Sequence, residues 1–234
     1  MNHLRIVLIA CVFFFLQSNG YAKNEKRAIA PFDKISLRVA ANLYLEQGNE
    51  PNIEITASEL TIDKLIIENI DHKLIIRFSL EDQLFHNFDP GKIEIHVTTD
   101  EIRELNVQGS GNIIAESTIK TFGLELNIAG SGDIKLSDVR CEKLKANITG
   151  SGDIIVSGKD EVNALDINIA GSGDVMAYQL NAKSGYIRIA GSGDCDVSIF
   201  DYLDAKVLGS GDITYKGTPM IRSSVTGSGK IHNK

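Results

Sequence analysis

The sequence predicts an all-β fold: a right-handed parallel β-helix, a solenoid of about seven Gly-Ser-Gly turns, with an N-terminal β region that caps or extends it. The first sign is a repeat. The triplet Gly-Ser-Gly starts at Gly109, Gly130, Gly150, Gly171, Gly191, Gly209 and Gly227, at intervals of 21, 20, 21, 20, 18 and 18 residues, and a period near twenty held over many copies marks a solenoid. The second sign is apolar alternation with period two on both sides of every triplet. The third is composition: 43% hydrophobic and 24% charged residues describe a chain that folds around a core.

The flanks identify the elements. Two residues before each triplet stand Val107, Ile128, Ile148, Ile169, Ile189, Val207 and Val225, and four before stand Leu105, Leu126, Ala146, Ile167, Ile187, Ala205 and Ser223. Four after the first glycine come Ile113, Ile134, Ile154, Val175, Cys195, Ile213 and Ile231; six after come Ala115, Leu136, Val156, Ala177, Val197, Tyr215 and Asn233. Alternation with period two makes these strands that bury one face each, and β-branched residues and recurring glycines disfavour helices. Each copy is therefore a strand, a tight corner and a second strand, returned by a variable stretch that carries Ile119, Val139, Leu180 or Ile199. No copy can bury its apolar face alone, so copies stack in parallel register. Right-handed coiling is expected because parallel crossovers have that hand in about 98% of cases. Seven turns at about 4.8 Å each give a prism of roughly 34 Å.

The corner glycines answer to positive φ and close approach between layers, which glycine tolerates at least cost. The last copy loses its apolar pattern at Ser223 and Asn233, and the polar tail Lys230–Lys234 reads as an end cap whose lysines blunt an exposed strand edge.

Residues 1–22 read as a secretory signal peptide: a basic start, an apolar run Ile6–Leu16 too short to span a membrane as a helix, and small residues Gly20 and Ala22 at a cleavage site. A competing reading makes Leu8-Ile9-Ala10-Cys11 a lipoprotein box with Cys11 lipid-bearing, but strongly apolar residues continue after it. Residues 23–30 form a short linker. Residues 31–100 are read as β throughout and as continuous with the repeats of 101–234. Alternation marks Ile35–Val39, Leu43–Leu45, Ile53–Ile55 and Ile93–Val97, whereas Leu65–Ile67 and Leu74–Phe78 are dense enough for strands buried on both faces. Turn signals fall at Gln47-Gly48-Asn49, Asn69–His72 and Asp89-Pro90-Gly91. Pattern alone leaves open whether this region continues the coil or forms a sheet on top of it.

Net charge is −7, and loss of Arg5 with the signal takes it to −8; no basic patch points to nucleic acid. Cys141 and Cys195 occupy different repeat positions and read as buried thiols.

The opening Pro31-Phe32-Asp33-Lys34-Ile35, the strand-turn Leu43-Tyr44-Leu45-Glu46-Gln47-Gly48, the strand Ile53-Glu54-Ile55-Thr56-Ala57 and the serial Gly-Ser-Gly-Asp corners after Ile102–Val107 resemble the bacterial putative auto-transporter adhesin, head GIN domain family. The resemblance spans about residues 30–234. It implies a secreted or envelope-located β-helical protein of Bacteroides-type bacteria and carries over no catalytic residues. The chain departs from the pattern at Asn112 and Lys230, where the corner aspartate is absent.

The corner acids Asp133, Asp153, Asp174, Asp194 and Asp212 are the conspicuous polar constellation. Stacking sets ionised carboxylates about 5 Å apart, where they repel by roughly 1 kcal/mol in water and several-fold more at lower dielectric. Hydrogen bonds from corner N–H groups, as in Asx-turns, offset this in a structural reading; bound cations do so in a competing one. Catalysis by a carboxylate pair is disfavoured because an active site is a local exception and these acids recur on five turns. His72, His86, His96 and His232 show no zinc spacing and give the corner serines no base. Phe78–Phe88, with Phe85 and Phe88 near His86, reads as a loop packed on the solenoid, with exposed aromatics as the alternative.

The chain is thus expected to be a secreted cell-envelope β-helix protein, an adhesin-like or structural binding module without cofactor, metal or catalytic activity. The alternative is a polysaccharide hydrolase or lyase. A surface glycan or an envelope protein is the expected partner, with self-association as a second form. Neither nucleic acid nor a transmembrane span in the mature chain is expected, and periplasm, outer-membrane surface and medium remain open.

Overall fold

The computed structural model describes residues 23–84 and 89–234. The readings on residues 1–22, Cys11, Phe85, His86 and Phe88 lie outside the described residues. The rest of the chain winds into a β-solenoid of about six full turns, bounded by the seven corners.

The triplets align in one column. In the sheet before the corner, the strands Glu104–Gly109, Gly123–Gly130, Lys143–Gly150 and Val162–Gly171 pair in parallel. The second halves of Val175–Gly191 and Cys195–Gly209, and then Met220–Gly227, continue the stack, with every first glycine opposite the next. The sheet after the corner stacks Ile113, Ile134, Ile154, Val175, Cys195, Ile213 and Ile231 in the same way. The alternating positions point inward as their pattern requires, and Ile119, Val139, Leu180 and Ile199 from the return stretches are fully buried and close the third side of the core. Each such aliphatic side chain contributes roughly 1.5–3 kcal/mol when removed from water.

The N-terminal region both extends the solenoid and caps it. Lys34–Leu37 pairs in parallel with Glu104–Gly109 on one side and Lys73–Arg77 on the other. Asn42–Gln47 pairs likewise with Asn112–Lys120 and Glu94–Thr99. Residues 34–47 therefore form a coil without a Gly-Ser-Gly corner, wedged between the strands of residues 73–99, which come later in the chain, and the first triplet coil. The direction then reverses. Ile66–Ile70 lies antiparallel on Lys73–Arg77, Asn52–Ala57 on Glu94–Thr99, and Lys23–Ala28 on Asn52–Ala57.

Residues 23–30 are not a linker, since Lys23–Ala28 forms a strand, and two expectations for the region 31–100 are also corrected. It is not β throughout: short helices span Glu59–Lys64 and Leu80–Leu84. Ser58 starts the first by accepting the Thr61 N–H at its side chain, and Thr61 and Ile62 are buried beneath it. Nor is either dense apolar run buried on both faces: in the second, Leu74 and Ile76 alternate with half-buried Ile75 and Arg77, and the run around Ile66 is less buried still. It is the outer strand of a hairpin turned at Asp71 and His72, whose φ angles of 51° and 60° suit a two-residue turn with positive φ at both positions, and its residues stay half-exposed.

The far end is uncovered among the described residues. Met220–Gly227 is exposed along its whole length, and the tail residues Ile231–Asn233 do not fold over it but pair with Ile213–Lys216 as the last strand. The expected end cap is thus corrected: among the described residues nothing lies over this coil, because Ile221 and Val225 take inward positions with no further layer to cover them. No helix among the described residues is long and apolar enough to cross a membrane.

Candidate functional site

The corner column uses its two glycines for two physical reasons. Gly150 has φ of 132°, a conformation that L side chains rarely adopt, and a Cβ there would also overlap the Gly130 carbonyl. Gly152 shows no positive φ; a Cβ on it would run into the Gly132 carbonyl oxygen one coil below. The first glycine is thus needed for the bend and for room, the third for room alone. This packing lets the Gly130 carbonyl accept both the Ser151 N–H at 2.9 Å and the Gly152 N–H at 3.2 Å, and the same pair recurs up the stack.

The structure places Asp133, Asp153, Asp174, Asp194 and Asp212 in one ladder. Each carboxylate Oδ1 accepts the backbone N–H of the residue one coil above. Asp133 accepts from Asp153 at 2.9 Å, Asp153 from Asp174 at 2.9 Å and Asp174 from Asp194 at 2.7 Å. Asp194 then accepts from Asp212 at 2.7 Å, and Asp212 from Lys230 at 2.7 Å. The donor belongs to the next coil, not to the aspartate's own turn as in an Asx-turn. The two departures from the repeat are the ladder's ends. Asn112 accepts the Asp133 N–H at 3.0 Å while its amide donates to Asn42 at 2.9 Å, which a carboxylate cannot do. Lys230 supplies only its N–H; with no coil above it among the described residues, an acceptor side chain there would have no donor to receive.

Sequence reasoning missed a second polar column. Three residues before the first four triplets stand Asn106, Asn127, Asn147 and Asn168, and the amides of Asn127, Asn147 and Asn168 each donate to the side-chain carbonyl of the asparagine below, at 3.0, 2.7 and 3.2 Å. The signal is present in the sequence: the same residue type at one repeat offset over four coils. Such amide ladders stabilise in-register parallel stacks. Above Asn168 the column changes to Arg188 and Lys206, register partners on adjacent strands. Beside it runs a row of small or apolar exposed residues, Thr149, Ala170, Ala190 and Leu208, with Leu208 61% exposed. Together these line a shallow furrow of about 610 Å³ across the outer face of the sheet. On the other sheet, near the capped end, Tyr44 stacks on His96 with ring centroids 4.9 Å apart, beside Glu46 and Glu116.

Among the described residues no group of three or more His, Cys, Asp and Glu side chains is placed to hold a metal ion. Cys141 and Cys195 are buried free thiols.

Stacked coils, glycine corners and in-register polar ladders define a β-solenoid with a furrowed outer face. The chain belongs to the family of the putative auto-transporter adhesin, head GIN domain, whose model matches residues 31–219. A putative adhesin of Bacteroides fragilis superposes with a TM-score of 0.85 at 24% identity, covering 91% of this chain and 97% of that one. A putative lipid binding protein of Parabacteroides distasonis is 30% identical with a TM-score of 0.76, covering 92% and 98%. A putative adhesin of Parabacteroides merdae, 23% identical, gives 0.71 over 92% and 97%. Among curated proteins none matches this chain.

Proposed function

We propose that the protein is a secreted, non-catalytic adhesin-like module of the cell envelope that holds an extended anionic partner, a surface glycan or an envelope protein, against the outer face of its solenoid. The apolar run Ile6–Leu16, the small residues Gly20 and Ala22 after it, and the adhesin family support the location. One observation carries the binding reading: the repeated acids are engaged by the backbone of the next coil, whereas the furrow over Ala170, Ala190 and Leu208 sets exposed Arg188 beside exposed Lys206, whose Nζ lies 3.9 Å from Asp204 Oδ1. Neighbouring cations on adjacent strands, about 5 Å apart, repel by roughly 1 kcal/mol in water, and an anionic group laid across both relieves that repulsion. The furrow runs along the stacking direction, so a long ligand meets several coils and weak contacts add.

The test is a screen of glycans and envelope proteins on the purified protein, with and without calcium. Acidic ligands are expected to be retained and to be lost when Arg188→Glu and Lys206→Glu are combined. Retention unchanged by that pair rejects the furrow, and release of cleaved oligosaccharide from a polysaccharide establishes the enzyme instead. A second reading has its own support in the apolar lining of the furrow and the relative described as a putative lipid binding protein: an acyl chain on the alanine row with its anionic head at Arg188. Binding of a fatty acid in preference to acidic glycans would select it.

A further inference from the structure

The two ends of the solenoid differ. At the N-terminal end, strand direction reverses, the helix Glu59–Lys64 packs beside the last coil, and the outermost strands Lys23–Ala28 and Ile66–Ile70 each pair on one side alone among the described residues. At the C-terminal end, Met220–Gly227 pairs only with the strand Cys195–Gly209, and Ile231–Asn233 only with Ile213–Lys216, among the described residues. Met220 is 76% exposed, and Ile221 and Val225, in register with the buried Leu203 and Val207, are uncovered on the last described coil. The corner chemistry is cut short at the same place. From Gly109 to Gly209 each corner carbonyl accepts two N–H groups from the coil above, while among the described residues none reaches the Gly227 carbonyl.

Charge separates this end from the rest. Residues Ile213–Lys234 hold four of the 24 Lys and Arg residues (Lys216, Arg222, Lys230 and Lys234) and none of the 31 Asp and Glu residues. Residues 1–212 then carry a net −11, which is the total of −7 less these four positive charges.

We infer that the open C-terminal coil is a strand-addition site for an acidic, extended polypeptide segment. An unpaired strand edge is a template for one more strand, with main-chain hydrogen bonds giving affinity and alternate side chains giving choice. Here the edge supplies backbone acceptors and donors, Ile221 and Val225 supply the apolar contact, and the cations select acidic side chains. A second copy joined tail to tail is disfavoured, because it sets one basic end against another. An anionic membrane would satisfy the charges and leave the edge groups unpaired.

The probe is a fluorescein-labelled ten-residue peptide of alternating Val and Glu, followed by anisotropy on the purified protein. The matching probes are one with Lys for Glu and one methylated on alternate backbone nitrogens, and phosphatidylglycerol vesicles test the membrane. The acidic peptide is expected to bind, with affinity lower by about tenfold or more, a loss of about 1.4 kcal/mol, for the methylated probe, for the Lys probe, and for the protein carrying Arg222→Glu and Lys230→Glu. Equal binding of the methylated probe reduces the site to charge and overturns strand addition. Failure of the acidic peptide to bind, vesicle binding without peptide binding, or a concentration-dependent dimer that Arg222→Glu with Lys230→Glu alters also overturns it. The Lys and methylated probes use unaltered protein, so the outcome stands even where the double variant is unstable.

Discussion

The backbone N–H of Asp153 donates to Oδ1 of Asp133 one coil below, at 2.9 Å. That bond turns a column of like charges into part of the stacking mechanism. A carboxylate hydrogen-bonded by a backbone N–H gains a charge-assisted bond, set against the roughly 1 kcal/mol of repulsion between neighbours in water.

The first prediction separates acceptor from charge. Asp153→Ala removes the acceptor of the Asp174 N–H and is expected to cost about 1 kcal/mol, lowering the melting temperature by about 2–4 °C for a chain of this size. Asp153→Asn keeps an oxygen acceptor, as Asn112 already does beneath Asp133, and removes one charge from the column. It is expected to leave the melting temperature unchanged or raise it at low salt, with the gain fading in high salt as screening grows. Thermal melts of both variants at two ionic strengths decide this, and equal losses for Ala and Asn would show that the charge itself is needed.

The second prediction concerns the two glycine roles. Gly109 has φ of 104°, and a Cβ added to it would meet nothing within 4 Å, so Gly109→Ala faces only conformational strain, about 1–3 kcal/mol. Gly152→Ala meets no such strain but collides with the Gly132 carbonyl, so the coils must part and the paired bonds to the Gly130 carbonyl loosen with them. Urea unfolding is expected to rank Gly152→Ala as clearly the more destabilising. The reverse order would mean that the coils separate at little cost.

Much of this architecture is legible because a repeat multiplies its own signal. Ile128 alone says little; Val107, Ile128, Ile148 and Ile169 at one offset define a buried row, and all four are buried. The same logic places the triplets in one column. The coil of residues 34–47 is harder to see, since its corner, from Arg38 to Ala41, has no glycine and its spatial neighbours come later in the chain. The helix Glu59–Lys64 is hidden although Ser58 offers an N-cap, because the surrounding alternation favours strand. The furrow is beyond reach for another reason: Arg188 and Lys206 are ordinary surface cations until the register sets them side by side.

The third prediction addresses cations. With each Oδ1 of the ladder accepting a backbone N–H, the aspartates meet the demands of stacking without an ion. Removing calcium with a chelator is expected to leave the melting temperature unchanged, as is adding calcium in excess. An ion bound to the folded state at a hundred times its dissociation constant would add about 2.7 kcal/mol, so a rise of several degrees would assign the column to cation binding.

The fourth prediction rests on the two thiols. Burial, followed by the charges of Asp196, Asp174 and Asp194, drives the Cys195 pKa far above its ordinary value, and burial pushes Cys141 up to about 11. Since the thiolate is the reactive form, neither thiol is expected to react with a disulfide reagent at pH 8 until urea unfolds the chain, and Cys141, the less buried, should react first. The pH dependence follows from the sign of the shift. A proton held more tightly in the folded state gives stability that is complete below the ordinary thiol value near 9 and declines as pH rises above it. Cys195 sits in the inward row otherwise filled by Ile113, Ile134, Ile154, Val175, Ile213 and Ile231, so Cys195→Val should fold normally and flatten that alkaline decline. Cys195→Ser places a hydroxyl in the apolar row and should cost about 1–3 kcal/mol. Rapid labelling of Cys195 in the native protein would show that the coils open there, which in-register stacking forbids.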